Sequence, residues 1–201
     1  MQMAVNVANI VVGEATIKLG PSANATTIAA MDNFADVGAT QNGVEISWEP
    51  DIVDIEIDQF GDAAKLIQSK VKVMVKTTLA EATLNNLAIA WNYDDQGGGA
   101  AADGDDIKAN FAGSGASTNT FLFGTQNVYP REKGLVVVGS APGSSAAAVK
   151  SRSFYTKRAI SMESSMISMK RAEATMFTVG FRILPTVADT NYEYGKIIDQ
   201  Q

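Results

Sequence analysis

Residues 43–58 read GVEISWEPDIVDIEID, two alternating runs that meet at a proline. In the first run Val44, Ile46 and Trp48 oppose Glu45, Ser47 and Glu49; in the second, Val53, Ile55 and Ile57 oppose Asp54, Glu56 and Asp58. A strand alternates its side chains strictly, so apolar positions that move from even to odd numbers predict two strands with a turn, kink or bulge at Glu49-Pro50-Asp51. Proline at that point also removes a ladder donor. The expected product is a bent sheet with one apolar and one acidic face.

The flanking residues extend this pattern. Between Lys18 and Lys65 there are nine acidic residues and no basic one. Lys65, Lys70, Lys72 and Lys76 follow without an intervening acid, and the last three alternate with Val71, Val73 and Val75. This predicts a third strand whose pairing with the acidic one is registered by cross-strand ion pairs. Asn42-Gly43, closing the stretch 38–43, predicts the turn that leads into the acidic strands. After the lysines, Thr78-Leu79-Ala80-Glu81 has the spacing of a capping box, and Ala80, Leu84, Leu87 and Trp91 form an i, i+4, i+7, i+11 stripe. A helix is therefore expected from Thr78, packing Leu84, Leu87 and Trp91 on the valine face.

The remaining chain is mostly strand and turn. Residues 4–19 predict one or two strands ending at Gly20-Pro21, and 22–32 a short helix or a loop. Residues 94–120 form a long glycine-rich loop holding Asp94, Asp95, Asp103, Asp105 and Asp106. Their spacing does not match a calcium loop, and the Gly97–Gly99 run lacks the spacing of a phosphate-binding loop. Further strands are expected at 120–123, 134–139, 152–162 and 196–199. The longest is 173–184, EATMFTVGFRIL, in which Phe177, Val179, Phe181 and Ile183 share the face of a central core strand. From 131 to 171 eight basic residues stand against Glu132 and Glu163, the complement of the acidic segment.

Composition narrows the chemistry. The 201 residues suffice for one domain spanning 1–201, with the 94–120 loop as an insertion in it. There is no histidine and no cysteine. The usual neutral-pH general base, the common nucleophilic triads, disulfides and the preferred zinc ligands are thus all missing. A carboxylate pair such as Glu45 and Glu49 is ordinary on a β strand, so no enzyme, metal or cofactor is expected. A net charge of −6 argues against general nucleic-acid binding. The apolar N-terminus lacks a basic n-region, and no run reaches the roughly 20 apolar residues that span a bilayer. A chain without an export signal and without membrane contact is the expectation.

Taken in order, VNVANIVVGEATIKLG, DVGATQNGVEISWEPDIVDIEIDQ, VKVMVKTTLAEATLNNLAIAW and RAEATMFTVGFRILP followed by YGKIID resemble the tail tube proteins of long-tailed bacteriophages. That family is related in fold to contractile-tail and type VI secretion tube proteins. The resemblance implies a mainly β fold, a β-sandwich with a flanking α-helix. It further implies hexameric rings whose inner sheets join into a closed barrel, stacked into a tube in the virion tail after assembly in the bacterial cytoplasm. The implied partners are the chain itself, a tape measure protein, a tip initiator, a terminator, and genomic DNA in transit without sequence-specific binding. On this reading Asp54, Glu56 and Asp58, with Glu45 and Glu49 as second choices, face the lumen as a wall that repels DNA evenly. A terminator or contractile-system tube, and a carbohydrate-binding β-sandwich, are the alternative readings.

Overall fold

A computed structural model describes residues 11, 13–22, 25–56, 63–92, 132–144, 149–162, 167, 169, 171, 174–186 and 194–200. The expected 94–120 loop, the strands at 4–10 and 120–123, and Asp58 lie outside the described residues. The fold is mainly β. Its elements are β1 (Thr16–Pro21), α1 (Ile28–Asp32), β2 (Ala35–Asp36), β3 (Thr40–Glu56), β4 (Ala63–Leu79), α2 (Leu84–Ala90), β5 (Lys133–Ser140), β6 (Ser151–Ser161), β7 (Phe177–Ile183) and β8 (Lys196–Asp199).

All pairings are antiparallel, in the order β2-β1-β5-β6-β7-β4-β3, with β8 added to β6. The sheet is rolled, because its two ends are consecutive in sequence: residues 37–39 alone link β2 to β3. This link is bonded on both sides. Val37 N–H donates to Ile17 O of β1 at 3.0 Å, and Ala80 N–H, just past β4, donates to Ala39 O at 2.8 Å. Gly38 sits between them at φ +90°, a backbone conformation a side chain disfavours.

The roll encloses the main core, built from Ile17, Leu19, Val75, Leu79, Ile89, Leu135, Val137 and the β7 row Phe177, Val179, Phe181 and Ile183, none more than 3% exposed. Between β6 and β4, β7 is central, although at seven residues it is not the longest strand; β3 and β4 have 17 each. A smaller cluster of Ala25, Met31, Phe34, Val136 and Tyr155 lies on the other face of β1 and β5, beneath α1. Buried on both faces, β5 reads as the unbroken apolar run LVVV. Residues 25–32 form a turn and one helical turn, capped by the Thr27 hydroxyl accepting from Ala30 N–H at 3.2 Å.

Three expectations are corrected. Residues 43–56 belong to one strand, not two: every residue of β3 from Val44 to Ile55 has a partner in β4. Asn42-Gly43 is not a turn but two extra residues inside β3, between the pairs Gln41↔Thr78 and Val44↔Thr77, with both φ angles positive. The bulge is held by Thr77 Oγ1 donating to Gly43 O at 2.9 Å. The helix starts at Leu84 rather than Thr78: Thr83 is its cap, accepting from Asn86 N–H at 3.2 Å, and Thr78 lies in β4. Glu81 is recruited elsewhere, accepting from Ala39 N–H at 2.9 Å. The buried residues of α2 are accordingly Asn86, Ala88, Ile89 and Ala90, with Leu84 half-buried and Leu87 and Trp91 half-buried against the main core.

Candidate assembly surface

The outer ends of β3 and β4 run past the strand pairing of the rest of the sheet, with Tyr194 Oη donating to Val71 O at 3.4 Å at their base. Within β4, β7 pairs only residues 73–79. Beyond that point β3 and β4 continue as a two-stranded arm, residues 49–56 against 63–72. Eight residues of strand reach about 26 Å at about 3.3 Å each. Every residue of the arm with a described side chain is exposed except Val71, which is half-buried.

Pairing register fixes the two faces of this ribbon, since residues directly opposite share a face. One face continues from the core side: Val44, Ile46, Trp48, Ile52, Asp54 and Glu56 of β3 lie with Val75, Val73, Val71, Gln68 and Leu66 of β4. The other carries Glu45, Ser47, Glu49, Asp51, Val53 and Ile55 with Lys76, Met74, Lys72, Lys70, Ile67 and Lys65. The irregularity near Pro50 falls in β4. Asp51 pairs Lys70 and Ile52 pairs Gln68, so Ser69 is the unpaired residue, its hydroxyl donating to Asp51 O at 3.2 Å. The alternation of β3 therefore runs straight through Pro50.

Two consequences follow. Because the strand keeps its alternation while its apolar residues change parity, the arm is apolar on both faces. Trp48 (61% exposed), Ile52 (54%) and Leu66 (63%) lie on one side, Val53 (48%), Ile55 (40%) and Ile67 (42%) on the other. The acidic residues are likewise divided. Glu45, Glu49 and Asp51 each have a lysine directly across, and Lys72 Nζ lies 3.2 Å from Glu49 Oε2. Arg182, opposite Met74, joins Lys65, Lys70, Lys72 and Lys76 as a fifth cation on that face. It is an ion ladder rather than an acidic surface. Asp54 and Glu56 stand on the opposite face, across from Leu66 and Ala63 with no lysine facing them. The four described lumen candidates thus do not share one wall.

Elsewhere the polar side chains hold structure. Arg158 spans Glu132 through Nε (2.7 Å) and Nη2 (2.6 Å) and donates Nη1 to Pro185 O, which ties β6 to both neighbouring segments. These bonds hold the Glu132 carboxyl below its usual range and raise Arg158. Tyr155 Oη donates to Asp32 Oδ1 at 2.7 Å, and burial, together with that bond, raises the phenol. Arg152 and Asp199 pin β8 to β6 through two bonds of 2.6 Å. A cleft of about 380 Å³ beside α2 contains Asp36 and Glu81, both already accepting from the backbone N–H groups of Gly38 and Ala39. Among the described residues no three His, Cys, Asp or Glu side chains gather as metal ligands, and no helix is long and apolar enough to cross a membrane.

The signal for the arm was present in the sequence as the parity change, but its meaning depends on the partner strand and on where β7 stops. No protein-family model matches the chain, and no curated protein sequence matches it.

Proposed function

We propose that the chain is a structural subunit that polymerises through the β3–β4 arm, and that its assembled form is a bacteriophage tail tube of stacked hexameric rings through which genomic DNA passes. The observation that carries the reading is the arm itself. A two-stranded ribbon is at best marginally stable alone in water, and one with exposed Trp48, Ile52, Leu66, Val53, Ile55 and Ile67 needs cover on both faces. An open strand edge of this length recruits other chains, and closure into a ring removes it. The resemblance of the sequence to tail tube proteins supports the specific form of the assembly, with the rolled sheet as its sandwich and partners at the two tube ends.

In such a ring the core-side face of β3, β4 and β7 is turned to the protein, so the opposite face lines the lumen. On this reading Glu45 and Glu49, with Asp51, Lys65, Lys70, Lys72, Lys76 and Arg182, lie along the DNA path, and Asp54 and Glu56 lie on the subunit side. Those three carboxylates stand against five cations, so opposite charges a few ångströms apart cancel only in part over the about 8 Å screening length and the wall keeps a modest basic excess that attracts phosphates weakly. Negative-stain images of the purified full chain test the reading. Long tubes of uniform bore are expected, isolated rings indicate a terminator instead, and a chain that sediments as a monomer at every concentration overturns it.

A further inference from the structure

We propose that Asn42 is a self-modification site: its side-chain amide is lost to attack by the backbone nitrogen of Gly43, and the hydroxyl of Thr77 sets the pace. Asparagine is among the chemically labile side chains, and Asn42-Gly43 is the one Asn-Gly pair in the chain. The pair lies inside β3, in the bulge between Gln41↔Thr78 and Val44↔Thr77, where neither residue has a partner in β4. Both residues are exposed, and both have positive φ, 64° at Asn42 and 75° at Gly43. A Cβ built on Gly43 would meet no atom within 4 Å, so the space beside this peptide is open.

The reaction needs that openness. Gly43 N bonds to Asn42 Cγ, the Cγ–Nδ2 bond breaks, and the displaced nitrogen leaves as ammonia, taking the amide proton. The five-membered succinimide so formed takes up water. Opening at Cγ gives aspartate; opening at the main-chain carbonyl gives isoaspartate, in which the chain runs through the side chain. No oxidant or reductant is consumed. Glycine, with no side chain, shields its own nitrogen least and lets the peptide turn most freely. In a regular ladder the same peptide would react only when the strand opened. Here it is gripped by Thr77, 5% exposed, whose Oγ1 donates to Gly43 O at 2.9 Å. Asn33 is a contrast: it too is exposed, but Phe34 follows it and its amide donates to Ala29 O at 3.0 Å. Either product adds a carboxylate to β3, which already carries Glu45, Glu49, Asp51, Asp54 and Glu56 and no cation. Isoaspartate also adds a main-chain carbon, at the place where the strand is already two residues longer than its partner.

Incubating the full chain at mildly alkaline pH, with peptide mapping and methylation by an isoaspartyl methyltransferase as readouts, tests the proposal. Asn42 is expected to convert before any other asparagine, and in the folded protein no more than about tenfold slower than in the urea-unfolded chain, which is what one hydrogen bond is worth. N42Q, whose ring would need one more member, is expected to lose the isoaspartyl signal. T77V is expected to bring the folded rate up to the unfolded one while leaving the rate in urea unchanged. T77S keeps the hydroxyl and is expected to react as wild type does, which separates loss of this bond from general damage to the fold. Folded protein that keeps Asn42 intact over times in which the unfolded chain converts it, or Asn33 reacting first, overturns the proposal. A T77V rate equal to wild type, or a T77S rate equal to T77V, overturns the role of Thr77.

Discussion

Gly20 of β1 lies directly opposite Gly134 of β5, and the ring of Phe34 lies across both. A Cβ at Gly134 would sit 2.6 Å from Phe34 Cε2 and 3.0 Å from Ala25 Cβ, and one at Gly20 would strike the same ring. Non-bonded carbons are comfortable at about 3.5–4.0 Å, so Gly134→Ala forces an overlap of about 1 Å. The ring has no room to retreat, being packed with Met31, Val136 and Tyr155. Alanine normally gains about 0.5–1 kcal/mol over glycine inside a strand; here the overlap is expected to reverse the sign and cost about 1–3 kcal/mol. Phe34→Ala removes the ring and costs about 3–5 kcal/mol. In F34A/G134A the added methyl enters vacated space, so the two costs are expected to fall short of additivity by about 1–3 kcal/mol. Urea unfolding below the assembly concentration measures all four proteins of this cycle. A G134A protein as stable as wild type, or strictly additive costs, would refute the claim that Phe34 is what requires glycine here.

Thr83→Ala is expected to lower stability by about 1 kcal/mol through loss of the α2 cap, and Thr78→Ala by clearly less; the reverse order in thermal melts would restore the helix start expected from the sequence. Glu132 has a depressed carboxyl pKa through its bonds to Arg158, so its contribution is full above the ordinary glutamate range and is lost as pH falls through the depressed folded value. Its worth is at most about 1 kcal/mol, because the pair is a third exposed. Glu132→Gln is therefore expected to flatten the acid limb of a stability–pH curve while leaving the limb above neutrality unchanged.

Much of the fold was legible because β strands here advertise their burial. The row Phe177, Val179, Phe181, Ile183 has period two and is buried, and the lysine–valine alternation of 70–76 is β4 opposite its acidic partner, with Glu49 and Lys72 in contact. What misled was local pattern read without its partner. Asn42-Gly43 carries the chemistry of a turn, but the same positive φ serves a bulge when Thr77 supplies the stabilising bond. Thr78 and Glu81 have capping-box spacing, yet the N–H of Ala39, 42 residues earlier in the chain, takes the glutamate, and Thr78 is held between β3 and β7. The parity change at Pro50 was real in composition. It marks the place where β3 passes the end of its own core, and there exposed apolar residues stand on both faces rather than one. The change of side in backbone pairing belongs to Ser69 on β4, and nothing in β3 alone could indicate it.

The same register decides which substitutions reach a DNA path. On the tube reading Glu45 and Glu49 face the lumen and each balances a lysine, Lys76 and Lys72. E45Q/E49Q keeps shape and hydrogen-bonding capacity but removes the carboxylates across from those two lysines, while Lys70 keeps Asp51, and Lys65 and Arg182 on the same face stand opposite Ile55 and Met74. Six copies per ring then double the basic excess of the wall, from two charges per copy to four. Tubes of this variant are expected to retain short duplex DNA at low salt and release it as salt rises, the signature of phosphate contacts displacing counterions. Wild-type tubes are expected to retain less and to release it at lower salt. D54N/E56N removes charge from the opposite face and is expected to leave DNA retention unchanged. If D54N/E56N instead changes DNA retention and E45Q/E49Q does not, the face continuous with Trp48 and Ile52 is the one that lines the channel, and the ion ladder lies between protein surfaces.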